Sequence, residues 1–183
     1  MVSRSKSRYT NCMLQLSGMF VNRPILSLRT GTQVGTALAP IINPNNLKIE
    51  GFFCEDTASR KQLVLVGQDI RDIMAQGIVV NDHDVLTDPD ELVRLKDWIR
   101  LAFEVLGKPV VTTSKEKIGK VSDYAVDIQS LYIQKLYVTQ SLFKSFSGGN
   151  LGIDRTQIVE ITDRKVVVND PLAKVPVGAR AVA

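Results

Sequence analysis

Val79-Val80-Asn81-Asp82 and Val167-Val168-Asn169-Asp170 spell one tetrapeptide twice, 88 positions apart. The match extends outward from it. At the same shift Ile70 falls on Ile158, Ile73 on Ile161 and Ile78 on Val166. Upstream the shift becomes 84: Gly35 falls on Gly119, Asn43 on Asp127, Leu47 on Leu131, Ile49 on Ile133, and Phe52-Phe53 on Leu136-Tyr137, with Arg23-Pro24 returning one place further on as Lys108-Pro109. A collinear series with one four-residue indel beyond that one-place slip is the signature of an internal repeat. The second copy therefore carries four extra residues, between the counterparts of Cys54 and Ile70.

Each copy reads as short strands separated by turn signals. A strand after the proline meets a tight turn at Thr30-Gly31-Thr32 or Ser114-Lys115-Glu116, and a second strand runs to Asn43 or Asp127. Asn and Asp start turns because the side chain accepts a hydrogen bond from backbone two residues on. A third strand is expected over Lys48–Cys54 or Ile133–Thr139 and a fourth over Gln62–Val66 or Asn150–Ile153. One helical turn and a last strand, Ile78–Val80 or Lys165–Val168, complete the copy. Strands this short and this closely spaced predict a small closed barrel. Gly35 and Gly119 suit either a barrel bend, where a side chain would collide, or an ordinary hairpin.

Between the copies the pattern predicts a helix over residues 88–107. Asp88 is a good N-cap, Pro89 suits the first helical position, Glu91 stands where a capping-box acid belongs, and Gly107 can take a left-handed C-terminal cap. Leu92, Leu95, Ile99, Phe103 and Leu106 share one helical face, with Trp98 and Ala102 beside them. Modules of about eighty residues bury only a marginal core, so that face is expected to dock on one barrel or between both. A recognition helix for another protein is the other reading. The organisation expected is thus a basic tail (1–12), a first barrel (13–87), the helix (88–107), a second barrel (108–175) and a C-terminal tail (176–183). In fold class the chain is mainly β, two small barrels in tandem joined by an α-helix.

Hydrophobic residues at 44% and charged residues at 23% are ordinary globular values. There is no run of eighteen apolar residues to form a membrane span. Arg4, Lys6 and Arg8 precede a weakly apolar stretch, but no small-x-small cleavage site follows to make a secretory signal. Cys12 and Cys54 are too few for a disulfide framework, and with a single histidine they cannot supply a structural zinc site. A reducing cytoplasm is the expected location. The net charge of +4 is uneven: no Asp or Glu occurs before Glu50, whereas residues 50–104 are rich in both. A basic start permits contact with a polyanion and equally fits a solvated tail.

Through Gly107-Lys108-Pro109-Val110-Val111, Lys117-Ile118-Gly119-Lys120-Val121-Ser122-Asp123 and Gln157-Ile158-Val159-Glu160-Ile161, the second copy resembles the PRC-barrel domain family over almost its whole length. The first copy is similar at Arg23-Pro24-Ile25-Leu26 and Val34-Gly35, but Pro40 is expected to interrupt its second strand. The family includes the cytoplasmic part of photosynthetic reaction-centre H subunits and the C-terminal half of a ribosome maturation factor. The resemblance implies a docking module and brings no catalytic residues.

Asp82-His83-Asp84, with Asp88, Asp90 and Glu91, gathers five carboxylates and the only histidine. The glycine and terminal glutamate of a calcium loop are missing, and turn and cap duty accounts for most of the acids. No serine or cysteine nucleophile is spaced near His83 in an elbow-like motif, Gly148-Gly149 lacks the lysine and helix start of a phosphate loop, and Cys54 aligns with Val138 as a core strand residue. No catalytic, metal or cofactor site is expected. The candidate protein-binding residues are Leu142, Phe143, Lys144 and Phe146 in the longer loop of the second copy, where exposed aromatics favour a protein contact unless they fold back over the barrel mouth. The expected role is a non-enzymatic adaptor for a protein partner whose identity the sequence does not give. The other reading is an RNA- or ribosome-associated assembly factor.

Overall fold

A computed structural model describes residues 13–140 and 150–170. The chain is mainly β. The strands of the first half are β1 (Leu14–Leu16), β2 (Arg23–Ser27), β3 (Gln33–Asn43), β4 (Lys48–Asp56), β5 (Gln62–Val66), β6 (Ile70–Met74), β7 (Gly77–Val80) and β8 (Leu86–Thr87). Those of the second are β9 (Pro109–Thr112), β10 (Lys117–Asp127), β11 (Tyr132–Gln140), β12 (Asn150–Asp154), β13 (Ile158–Ile161) and β14 (Val166–Val168).

The two halves pair their strands in the same order. β2, β3, β4 and β5 form an antiparallel run and β7 closes back on β2 in parallel, with Ile25 opposite Ile78. In the second half β9, β10, β11 and β12 do the same, and β14 lies parallel to β9 with Val110 opposite Val166. The repeated tetrapeptide is the end of that parallel strand. Val80 and Val168 enter the core, and their carbonyls receive the turn after the first strand: Leu28 N donates to Val80 O, and Thr113 N to Val168 O. One core cluster runs through both halves and includes Phe20, Ile25, Phe52, Ile78, Ile133, Leu136 and Val166. The Phe20 and Phe52 rings stack at 6.1 Å.

Three expectations are corrected. First, each half holds a strand that was not expected before its last one: β6 and β13 follow the helical turns Gly67–Asp69 and Arg155–Gln157. Among the described residues no ladder joins β5 to β6 or β12 to β13, so neither ring is closed by hydrogen bonds and the strands form one continuous sheet. The helical turn lifts the chain away from β5, whose other edge is taken by β8.

Second, the helix expected over 88–107 shrinks to α1, Lys96–Leu101. Asp88 accepts a hydrogen bond from Asp90 N at 3.0 Å, but caps only a 3-10 turn, Pro89–Glu91. Ala102 turns left-handed at φ +42 and ends α1. From Phe103 onward burial alternates, with Phe103 and Val105 inside and Glu104 and Leu106 outside, and Gly107 N bonds Val121 O. Two core positions two residues apart demand extended chain, which outweighs the helical periodicity of the leucines.

Third, Pro40 does not interrupt β3. The strand runs through it, opposite Phe52, with register shifts on either side. The prolines act instead on the strand's edge. In the second half β1 adds to β10, Leu16 opposite Ala125, and Ile128 N donates to Met13 O. The counterpart of Ile128 is Pro44, which has no N–H to give. Accordingly Ile99-Arg100-Leu101, the counterpart of Leu14-Gln15-Leu16, is helical and packs beside β3. β1, placed by sequence in the first half, thus completes the sheet of the second.

Candidate binding cleft at the junction of the two halves

The halves meet at the tips of their central hairpins. Asn43 and Asp127 begin the two turns as expected. Asn43 Oδ1 accepts from Asn45 N at 3.0 Å, and Asp127 Oδ2 from the Ser130 hydroxyl at 2.6 Å. Each turn closes through a bond of 2.8 Å, Leu47 N to Asn43 O and Leu131 N to Asp127 O. To do so Leu47 and Leu131 both adopt left-handed backbone, at φ +54 and +60, a conformation that costs a branched residue free energy. Both side chains are buried, which offsets that cost. The tips then exchange bonds: Ile49 N donates to Leu131 O at 2.8 Å and Ile133 N to Leu47 O at 2.9 Å, with Lys48 opposite Tyr132. The contact is reciprocal, position for position, as across the twofold axis of a homodimer. Over the Tyr132 ring stand the Arg155 guanidinium, 4.3 Å from the centroid, and the Lys48 ammonium at 5.9 Å.

Clefts flank this junction on both sides. The larger, about 730 Å³, is bounded by Lys48 and Glu50 of β4, Gly67 and Gln68, the turn Gln129–Leu131, and residues 91–95 with Trp98. Its floor is apolar, from Ile49, Leu95 and Leu131, and its rim is polar. Glu50 is engaged by Asn43 Nδ2 at 3.2 Å and Lys48 Nζ at 3.7 Å. Gly67 keeps the wall open: a Cβ there would sit 3.1 Å from both Glu50 O and Leu131 Cδ1. The second cleft, about 330 Å³, lies between Pro44–Leu47 and Arg155–Ile161, segments that are the counterparts of two walls of the first. Arg155 stands where the first cleft has Gly67. Trp98 and the 91–95 segment wall only the larger cleft.

The acidic and histidine cluster noticed in the sequence is dispersed by the fold. Asp56, which sequence reasoning passed over, is buried and accepts the Ser59 hydroxyl and backbone N–H together with His83 Nε2 at 2.8 Å. The two Ser59 bonds, with His83 behind them, hold its carboxyl well below the usual carboxylate range. Ser59 and His83 both address the carboxylate, so the imidazole does not stand between acid and hydroxyl as a general base must. Asp82 ion-pairs with Arg29 at 2.8 Å and receives the Ser27 hydroxyl. The His83 backbone N–H, then Ser27 and Arg29, lower its pKa. Among the described residues no three His, Cys, Asp or Glu side chains are grouped to hold a metal ion. Cys54 lies in β4, buried, and burial pushes its thiol up to about 12. Leu142, Phe143, Lys144 and Phe146 lie outside the described residues. The cleft was not found from sequence because its walls come from four separate segments. Only Asn43 and Asp127 signalled the tips.

Each half sets six short strands, β2–β7 and β9–β14, against the shared core, with a helical turn before the last pair. Residues 100–174 match the family model of the PRC-barrel domain. No curated protein matches the chain. Among the described residues no helix is long and apolar enough to cross a membrane.

Proposed function

We propose that the chain is a non-enzymatic protein-interaction module in the cytoplasm, built from two PRC-type barrels, residues 13–87 and 108–175, with the larger junction cleft as its docking site. The observation that carries this reading is the cleft itself. It has an apolar floor, a polar rim and an indole at its edge, the composition of an anchor pocket for a partner's side chain. The PRC-barrel match supports a module of this size, and the identical strand order and register of the halves support a tandem origin. The reciprocal junction explains how two modules, each small for an independent core, stay together.

The test is site-specific photocrosslinking from position 92, on the cleft wall, in cells, with Trp98→Ala as the paired variant. A discrete protein adduct that disappears with Trp98→Ala is expected. Adducts that are identical with and without the indole would remove the cleft from the function.

A further inference from the structure

We propose that the chain self-associates into a twofold dimer by pairing β1 with β1 of a second copy, at the free edge of the second half's sheet. Ile128 N donates to Met13 O, and these two residues stand opposite one another in the register that sets Leu14 against Asp127. Opposed residues of an antiparallel ladder are alternately bonded and not bonded. Gln15 therefore bonds toward β10, while the N–H groups of Leu14 and Leu16 and the Leu14 carbonyl point away from it. Among the described residues no strand takes that edge. Along it Met13, Leu14 and Leu16 are 55%, 43% and 48% exposed.

Other edges of the sheet are blunted. β6 and β13 break register at Ile70/Asp72 and Ile158/Glu160 and carry charge at Asp72 and Glu160. β3, the counterpart of β10, contains Pro40, is followed by Pro44 and has α1 packed beside it. β1 has no proline, charge or register shift, and Leu14-Gln15-Leu16 reads the same in both directions. About a twofold axis at Gln15, Leu14 stands opposite the partner's Leu16, and Leu16 N donates to the partner's Leu14 O, twice by symmetry. The leucines of both copies then share one face. Asp123 and Asp127 lie one strand inward, on β10. Across the joint the two β10 strands are three spacings apart, about 14 Å, beyond the Debye length of about 8 Å at physiological salt, so these carboxylates do not oppose the pairing. The apolar side chains amount to a few hundred Å² per copy, against about 800 Å² per partner in a stable contact. The dimer is accordingly transient, with backbone bonds supplying what area does not, and it sets two copies of the larger cleft in one particle.

The experiment is sedimentation velocity of the full chain from about 1 µM to about 1 mM. A monomer at the low end and a dimer at the high end are expected. Leu16→Pro removes the outward N–H at a residue whose φ is already −73, close to proline's own value, so the monomer keeps its fold. The dissociation constant should rise at least about tenfold. In a Cys12→Ser background, Gln15→Cys should form an intermolecular disulfide under mild oxidation and Leu14→Cys should not. Position 15 faces itself across the axis, whereas the two copies of position 14 stand about 7–8 Å apart, too far to bridge. A monomer throughout the range, a Leu16→Pro protein that dimerises as the parent does, or a disulfide at 14 and not at 15 overturns the proposal.

Discussion

Replacing Gly119 by alanine tests the bend on which the second half is built. A Cβ on Gly119 would lie 2.1 Å from Thr139 O, 2.9 Å from Thr139 C and 3.0 Å from Val138 Cγ1. Two of those atoms are backbone of the paired strand β11, so no side-chain rotation relieves the clash. β10 and β11 must separate by about 1 Å, straining the ladder at Gly119↔Gln140 and Lys120↔Thr139. Overpacking of this kind costs about 1–3 kcal/mol, and each weakened ladder bond adds to it. The lower entropy of the unfolded alanine chain returns only about 0.4–1 kcal/mol. The net expectation is a loss of about 2 kcal/mol, or roughly 4–8 °C in Tm for a chain of this size. Gly35 is the internal control. Its Cβ would approach the equivalent carbonyl, Glu55 O, no closer than 3.0 Å, and Leu86 Cδ1, a movable methyl, at 3.2 Å. Gly35→Ala should therefore cost less than about 1 kcal/mol. Circular dichroism melts and urea titrations of the two variants against the parent give both numbers. A Gly119→Ala protein as stable as the parent, or a Gly35→Ala protein that is the weaker of the two, would refute the close-approach reading of these glycines.

Phe52→Ala removes a fully buried ring stacked on Phe20 and should cost about 3–5 kcal/mol, read as a shift in urea midpoint at unchanged slope. Asp56 has its pKa lowered in the folded chain, so its contribution to stability is present above the ordinary carboxylate range and lost as pH falls through the lower folded value. In Asp56→Asn the loss of stability on acidification below about pH 4 should be shallower than in the parent, measured by melts across that range. Asp88→Ala should change stability by less than about 0.5 kcal/mol, because it caps a single 3-10 turn and not the long helix for which a cap is worth about 1 kcal/mol. In a Cys12→Ser background the Cys54 thiol, pushed up to about 12, should be inert to a thiol reagent at pH 8 until the chain is unfolded.

Repetition was legible where it is carried by core side chains and turn starters. The valines of β7 and β14, Asn43 and Asp127, and the two bend glycines each have a physical duty that leaves a residue type behind. The segment between the halves was misread because Leu92, Leu95, Ile99, Phe103 and Leu106 satisfy a helical period, while Phe103 and Val105, two apart, are what the core takes up. Periodicity reports which residues could share a face and cannot report which face finds a partner. The crossing of β1 to β10 was illegible for a related reason. Nothing in Leu14-Gln15-Leu16 distinguishes the two halves as hosts, and the deciding residue is Pro44, a missing donor thirty positions away. The cleft escaped notice because Lys48, Gly67, Trp98 and Leu131 are unremarkable singly.

The reciprocal junction has a consequence for stoichiometry. Two identical subunits meeting through those tips would carry two identical clefts and bind two equivalents of anything that fits. Covalent linkage removes that obligation, because each wall is encoded separately. Glycine at 67 leaves one cleft open and arginine at 155 narrows the other, so among the described residues a doubled architecture presents two unequal clefts.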